Sequence, residues 1–152
     1  MTAEVAIEGP LPRLFGLSRS GLAAAARFFA GRSSRRCGVP FRAVTIVLQH
    51  DAGSDEVHRA TMSVSGATDV ITQGYDAMPP EPPGIYGELY VNVDMAARAA
   101  PKRDGWSPAH ELMLYVAHGM DHLSGEDDLE PEDRARMRRR ELRWIKDYLR
   151  RT

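Results

Sequence analysis

An apolar helix that carries two histidines near its end is the feature that most constrains the fold. Ser107 and Pro108 form a helix start, with serine as the N-cap and proline in the first turn. The residues that follow are predominantly apolar, and they include Leu112, Leu114, Tyr115, Val116 and Ala117. A helix with so little polar surface is a buried helix. We therefore predict that it lies at the centre of the domain, surrounded by the other elements.

Short strands and helices alternate along the rest of the chain. Apolar runs and alternation predict strands at residues 43–48, 69–73 and 87–93, and a short strand within the first eight residues. Further helices are predicted at 18–32, 54–63, 95–100 and 131–150, with Ser18, Ser54 and Asp94 as the N-caps of the first three. The proline-rich segment 78–84 is predicted to be a loop. This order indicates an α+β fold, in which a small mixed β-sheet of about four strands packs with about five helices in a single domain over residues 1–152.

The two histidines of the apolar helix have the spacing of metal ligands. His118 and His122 are four residues apart, so their imidazoles project from one helix face. Gly125 can turn the chain back after the helix, which brings the acidic residues 126–128 towards the pair. Two histidines and one carboxylate leave a coordination position open on zinc, as in hydrolytic sites. The common alternative is a buried helix whose two histidines are satisfied by hydrogen bonds.

Charge is strongly segregated although the net charge is only −1. Residues 10–50 contain seven arginines and no acidic residue, and residues 134–151 contain nine basic residues against two acidic ones. Two basic segments that flank an acidic, histidine-bearing centre favour a polyanion partner over a merely solvated helix. Cys37 is the only cysteine, which suits a reducing cytoplasm. No apolar run approaches the ~20 residues of a membrane span.

Three segments together resemble the YbeY family, metal-dependent endoribonucleases of ribosomal RNA maturation. They are His118-Gly119-Met120-Asp121-His122-Leu123-Ser124-Gly125-Glu126-Asp127-Asp128, Thr68-Asp69-Val70-Ile71-Thr72 and Gly87-Glu88-Leu89-Tyr90-Val91. The resemblance implies a zinc-hydrolase-like fold and one Zn²⁺ ion held by His118, His122 and Asp128. The family has a third histidine at the position of Asp128, and the sequence leaves open whether Asp127 is the ligand instead. The arginine that many members carry seven residues before Asp69 is Met62 here.

The resemblance also implies a function, and residues in the neighbouring segments are further candidates for the site. The expected activity is zinc-dependent, single-strand-specific cleavage of RNA in ribosomal RNA maturation and ribosome quality control. Its partners would be ribosomal RNA and the small ribosomal subunit, with neither DNA nor a membrane. Asp121 and Glu88 are the candidate general bases, and Arg59 is the candidate phosphate contact. Further candidate RNA contacts are Arg98, Lys102, Arg103, Tyr75 and Tyr86. Two other functions stay open: a catalytically weak RNA-binding factor of ribosome assembly, and a metallohydrolase of another substrate class.

Overall fold

A four-stranded mixed sheet forms the base of the fold. The structure, a computed structural model, describes residues 2–62 and 66–151. The strands are β1 (Glu4–Glu8), β2 (Phe41–Gln49), β3 (Val70–Tyr75) and β4 (Ile85–Asn92). Their order across the sheet is β1-β2-β4-β3, with β1, β2 and β4 parallel and β3 antiparallel to β4. The predicted mixed sheet of four strands is confirmed.

Residues 2–62 and 66–151 contain five α-helices, as predicted, and the fold is α+β. They are α1 (Arg19–Cys37), α2 (Asp51–Met62), α3 (Val93–Ala99), α4 (Pro108–Leu123) and α5 (Pro131–Arg151). Short 3₁₀ turns lie at Arg13–Phe15 and Ala100–Lys102. No helix within residues 2–62 and 66–151 is long and apolar enough to cross a membrane.

Helix α4 is the central element, which confirms the prediction from its apolar sequence. It contacts β3 and β4 as well as α1, α3 and α5, so it lies between the sheet and α5. Every residue from Glu111 to Ala117 is buried. Leu112 and Val116 are fully buried beside Phe29 of α1 and Leu89 of β4 in one core. Each fully buried side chain of this size stabilises the fold by about 1.5–3 kcal/mol. This packing holds α4 in one orientation, and the orientation determines where its polar residues lie.

Two predicted N-caps are wrong. Helix α2 begins at Asp51, and Ser54 lies buried within it, where its hydroxyl donates to the Thr68 carbonyl and accepts from the Thr68 amide, both at 3.0 Å. Helix α3 is capped by Asn92, whose side chain accepts from the Met95 amide. The Asp94 carboxylate instead accepts from the Asp51 amide at 2.9 Å. Only the preference of serine and aspartate for N-cap positions suggested these two caps. In the structure, Ser54 connects α2 to Thr68, and Asp94 connects α3 to the start of α2.

Several boundaries also differ from the sequence prediction. Helix α1 continues five residues past Arg32, because its exposed arginines and buried Ser33 extend the helix until Gly38 adopts a left-handed conformation. Strand β2 is longer than predicted at both ends, while β3 and β4 are shifted by one or two residues. Of the predicted helix at 54–63, the last residue lies outside the described residues.

Gly119 allows α4 to approach the sheet closely. A Cβ atom at this position would lie 2.7 and 2.8 Å from the two Cδ atoms of Leu89, which is fully buried. Gly119→Ala is therefore expected to destabilise the protein by about 1 kcal/mol, after overpacking has offset the gain in helix propensity. The matched control is Gly31→Ala in α1, where a Cβ atom meets nothing within 4 Å. We expect this control to raise stability, as measured by urea denaturation; equal effects of the two substitutions would contradict the close approach.

Candidate metal centre

His118 and His122 lie on the last turns of α4 with their rings facing each other. The ring centroids are 4.5 Å apart and the ring planes are nearly perpendicular, at 84°. The two Nε2 atoms are only 3.0 Å apart. Both side chains are mostly buried, with 16% and 24% exposure.

The hydrogen bonds of the other ring nitrogens define the tautomers. Nδ1 of His122 lies 3.0 Å from the carbonyl oxygen of Glu126, which can only accept, so this nitrogen carries a proton. Nδ1 of His118 donates to the carboxylate of Glu141 at 2.9 Å. With both Nδ1 atoms protonated, the lone pairs of both Nε2 atoms point at each other. Two lone pairs at this distance repel, and either a shared proton or a bound cation would remove that repulsion.

Asp128 supplies the third donor of this cluster. After α4 ends at Leu123, Gly125 adopts a positive φ of 101° and the chain turns back. The Oδ2 atom of Asp128 then lies 3.4 Å from Nε2 of each histidine. Among the described residues, these three form the one group whose ligand atoms converge as a metal site requires.

The spacing of the three donor atoms fits a metal ion. At zinc–ligand distances of about 2.0–2.1 Å, two ligands of a tetrahedral site lie about 3.3 Å apart. The three separations here are 3.0, 3.4 and 3.4 Å. The geometry therefore matches three corners of a tetrahedron, with the fourth corner left for water or substrate.

Glu141 of α5 is hydrogen-bonded to Nδ1 of His118, on the other side of the ring from Nε2. This contact was not predicted. The side chain of Glu141 is fully buried, and burial raises its pKa to about 7. Burial alone lowers the pKa of His118, but the hydrogen bond and charge of Glu141 outweigh it, and the pKa of His118 is raised. A carboxylate behind a ligating histidine fixes the ring and makes its other nitrogen a better donor.

An arginine network holds the turn that carries Asp128. Arg140 of α5 donates to both carboxylate oxygens of Asp121, at 3.0 and 2.9 Å, and to Glu126 at 2.6 Å. Arg36 of α1 donates to Ser124 and lies 3.7 Å from Asp121. The hydrogen bond from Arg140 lowers the pKa of Glu126. These contacts tie the end of α4 and the following turn to two other helices.

Asp121 is therefore placed for a structural task. Its side chain is completely buried and forms a bidentate pair with Arg140. A general base must reach its proton directly or through one water, and Asp121 does not line the cavity in front of the histidines.

Glu88 and Arg59 also lie apart from the two histidines. The Glu88 carboxylate accepts from the hydroxyls of Tyr75 and Tyr90, and the pKa of Tyr90 is raised to about 12, mainly by burial and then by this hydrogen bond. Arg59 is ion-paired with Asp55 on the exposed side of α2 and lines a separate cavity. Neither side chain lines the cavity at the metal cluster.

A cavity of about 490 Å³ opens in front of the two imidazoles. Helix α2 contributes His58, Thr61 and Met62 to its wall, and β3 contributes the residues from Val70 to Gln73. Asp69 also lines this cavity, just before β3. Its Oδ1 atom accepts from the Val70 amide at 2.7 Å and from the Thr68 hydroxyl at 3.3 Å, which orients the carboxylate.

The other predicted RNA contacts differ in their exposure and in their hydrogen-bond and ion-pair partners. Arg98 is held in a bidentate pair with Asp51, which is the main reason why the pKa of that carboxyl is lowered to about 2. Arg103 lies 4.0 Å from Glu111, while Lys102 is exposed. Tyr75 is half exposed, and the hydroxyl of Tyr86 donates to the Pro82 carbonyl. None of them lines the cavity at the metal cluster.

Comparison with known proteins settles the family. The family model described as endoribonuclease YbeY matches residues 24–149, which is most of the chain. The chain belongs to the YbeY family. The resemblance seen in the three sequence segments is thereby confirmed.

Curated relatives carry the same name, endoribonuclease YbeY, which agrees with the predicted class of enzyme. The relative from Rhodopirellula baltica is 39% identical over 97 residues, which cover 63% of this chain and 48% of that protein, so the match spans about half of the relative's length. The relative from Rhodococcus erythropolis is 33% identical over 80% of this chain and 69% of its own length. The relative from Micrococcus luteus is 34% identical over 75% of this chain and 76% of its own.

A solved structure supports the fold. The solution structure of a Thermotoga maritima protein superimposes with a TM-score of 0.60, covering 96% of this chain and 91% of that one at 19% sequence identity. At this level of identity the similarity concerns the arrangement of strands and helices alone.

Proposed function

We propose that this YbeY-family chain is a zinc-dependent endoribonuclease that hydrolyses single-stranded RNA. The observation that carries the proposal is the close grouping of three donor atoms: the two Nε2 atoms lie 3.0 Å apart, and Oδ2 of Asp128 lies 3.4 Å from each of them. A single proton shared by the two imidazoles would attract the Asp128 carboxylate by charge, but it would hydrogen-bond only the two Nε2 atoms. A divalent cation satisfies all three donors at once.

Zinc fits this donor set. Two imidazole nitrogens and one carboxylate oxygen, arranged as three corners of a tetrahedron, are the ligands of catalytic zinc sites. Bound there, Zn²⁺ supplies a Lewis acid that activates water near neutral pH and polarises a phosphoryl oxygen. His118, His122 and Asp128 would hold it.

The surrounding residues position the ligands and handle the proton. Glu141 and the Glu126 carbonyl keep the two rings in the tautomer that presents Nε2. Asp69 faces the same cavity, and no described residue forms a hydrogen bond with its Oδ2 atom. We assign Asp69 as the group that accepts a proton from the attacking water, in place of Asp121 and Glu88.

Ribosomal RNA is the proposed substrate, in maturation and quality control of the small ribosomal subunit in the cytoplasm. The support is the family name together with the segregated arginines, which suit a polyphosphate ligand. Binding through arginines should weaken steeply as salt concentration rises. A small neutral substrate would show no such dependence.

The proposal predicts chelator-sensitive cleavage of RNA. Purified protein should contain about one zinc ion per chain and cleave single-stranded RNA, because the open coordination position faces the cavity. Removal of the metal by a chelator should abolish cleavage, and added Zn²⁺ should restore it. Metal content by mass spectrometry and cleavage of a labelled oligonucleotide on a gel check both statements.

Three control substrates separate the alternatives. A DNA oligonucleotide of the same sequence, the same RNA in a duplex, and a peptide should all remain intact. RNA binding without cleavage at full metal occupancy would identify a binding factor of ribosome assembly. Cleavage of the peptide with intact RNA would identify a metallohydrolase of another class.

A further inference from the structure

The metal cluster borders a second cavity, on the side away from α2. This cavity of about 420 Å³ is lined by Asp69, His118 and Asp128 and by the first turns of α5. The three shared residues also line the cavity in front of the imidazoles. A ligand bound at the cluster can therefore extend to either side, towards α2 or towards α5.

The two sides carry different charges. The α2 side offers Thr61, Met62 and His58, whose Nδ1 is hydrogen-bonded to the Gly66 carbonyl. The α5 side offers the guanidinium groups of Arg134 and Arg138. Since arginine remains charged at any physiological pH, the permanent positive charge at the cluster comes from α5.

Arg134 and Arg138 are free to bind a ligand. They are four residues apart and project from the same face of α5. Both are exposed, and neither takes part in an ion pair with any residue in 2–62 or 66–151. Their neighbours on the helix differ: Arg136 is paired with Asp133, and Arg140 with Asp121.

We propose that Arg134 and Arg138 bind a phosphate group of the RNA substrate beside the metal centre, so that the strand passes over the first turns of α5. The inference rests on the proposed function for the identity of the substrate. A guanidinium donates two parallel hydrogen bonds to phosphate oxygens, which fixes orientation as well as charge. The carboxylates of Asp69 and Asp128 on the same cavity would repel a phosphate, and the two arginines offset that repulsion.

The test is RNA binding by the double variant Arg134→Gln/Arg138→Gln. A single-stranded RNA oligonucleotide is titrated into the metal-free protein of residues 1–152 at several salt concentrations, with binding followed by fluorescence anisotropy. The double variant should bind about tenfold more weakly at low salt. The plot of log affinity against log salt concentration has a negative slope. In the double variant this slope should become less steep by about 0.7 for each phosphate that the variant no longer neutralises.

A matched control is Arg139→Gln, an exposed arginine of α5 that lines neither cavity. It should leave both affinity and slope near the wild-type values. An equal loss in the control, or an unchanged slope in the double variant, would overturn the proposal. The single variant Arg138→Lys should keep the wild-type salt dependence but bind RNA more weakly than the wild type. Lysine keeps the positive charge and loses the bidentate geometry of arginine.

Cleavage by the metal-loaded protein distinguishes this inference from the proposed function. With both correct, the double variant keeps its zinc content while kcat/KM falls about tenfold or more. A wild-type protein that binds RNA through these arginines without cutting it would overturn the endoribonuclease proposal and support the phosphate site. A wild-type protein that cuts RNA with kcat/KM unaffected by the double substitution would overturn the phosphate site alone.

Discussion

Asp128→Asn is expected to remove the metal and with it the cleavage of RNA. The substitution replaces the only anionic donor of the cluster, which lies 3.4 Å from Nε2 of both histidines. Loss of a group that merely orients a ligand costs about 10–100-fold in metal affinity or activity, and loss of a ligand itself should cost at least the upper end of that range. Zinc affinity by competition with a chromophoric chelator, followed by cleavage rates, measures the effect.

Asp127→Asn is the matched control for this prediction. Asp127 is exposed, and its Oδ1 atom accepts from the Leu129 amide, a bond that asparagine can also make. The control should keep zinc affinity and activity within about twofold, a change of less than half a kcal/mol. The reverse pattern would move the third ligand by one residue. Asp128→His should retain the metal, because it recreates the third histidine that the family resemblance implies at this position.

Local periodicity explains why much of the fold could be predicted. His118 and His122 share a helix face because four residues make about one turn, and this holds wherever the helix lies. The alternation of Leu89 and Val91 with Glu88 and Tyr90 likewise defines β4 and its buried face without knowledge of its neighbours. The periodicity of one element therefore predicts its type and its buried face, whereas the N-caps of α2 and α3 and several boundaries were not predicted correctly.

Contacts between distant elements could not be predicted in the same way. Glu141 lies 23 residues after His118, and Arg140 lies 19 residues after Asp121. Glu141 falls at helical spacing on the apolar stripe of Met137, Trp144 and Ile145, which indicates that it is buried but does not identify its partner. The crossing of α5 over α4 selects both partners, and that crossing is a property of tertiary packing.

The position of Arg59 illustrates how helix geometry separates residues that are neighbours in sequence. Successive helix residues point about 100° apart, so a neighbour in sequence faces a different direction. His58, Thr61 and Met62 of α2 line the cavity, whereas Arg59 pairs with Asp55 on another side. The cationic side chains at the cluster come from Arg134 and Arg138, in the basic segment that the charge pattern associates with a polyanion.

Arg140→Leu is expected to produce the largest loss of stability. Asp121 is completely buried, and Arg140 supplies its hydrogen bonds at 2.9 and 3.0 Å. Removing one partner of a buried pair leaves an uncompensated charge, which costs about 3–5 kcal/mol. Since Arg36 remains 3.7 Å from Asp121, we expect the lower end of this range, about 3 kcal/mol. For a domain of this size the thermal midpoint should fall by roughly 6–12 °C.

A double-mutant cycle separates the buried charge from simple loss of a side chain. Asp121→Leu combined with Arg140→Leu should recover most of the stability, because replacing both members of a buried ion pair with apolar groups is often neutral. Arg139→Leu on the exposed side of α5 should change stability by less than about 0.5 kcal/mol. If Arg140→Leu and Arg139→Leu lower the thermal midpoint equally, the network does not hold the end of α4. If only Arg140→Leu lowers it, and zinc affinity falls as well, the same contacts stabilise the fold and position Asp128.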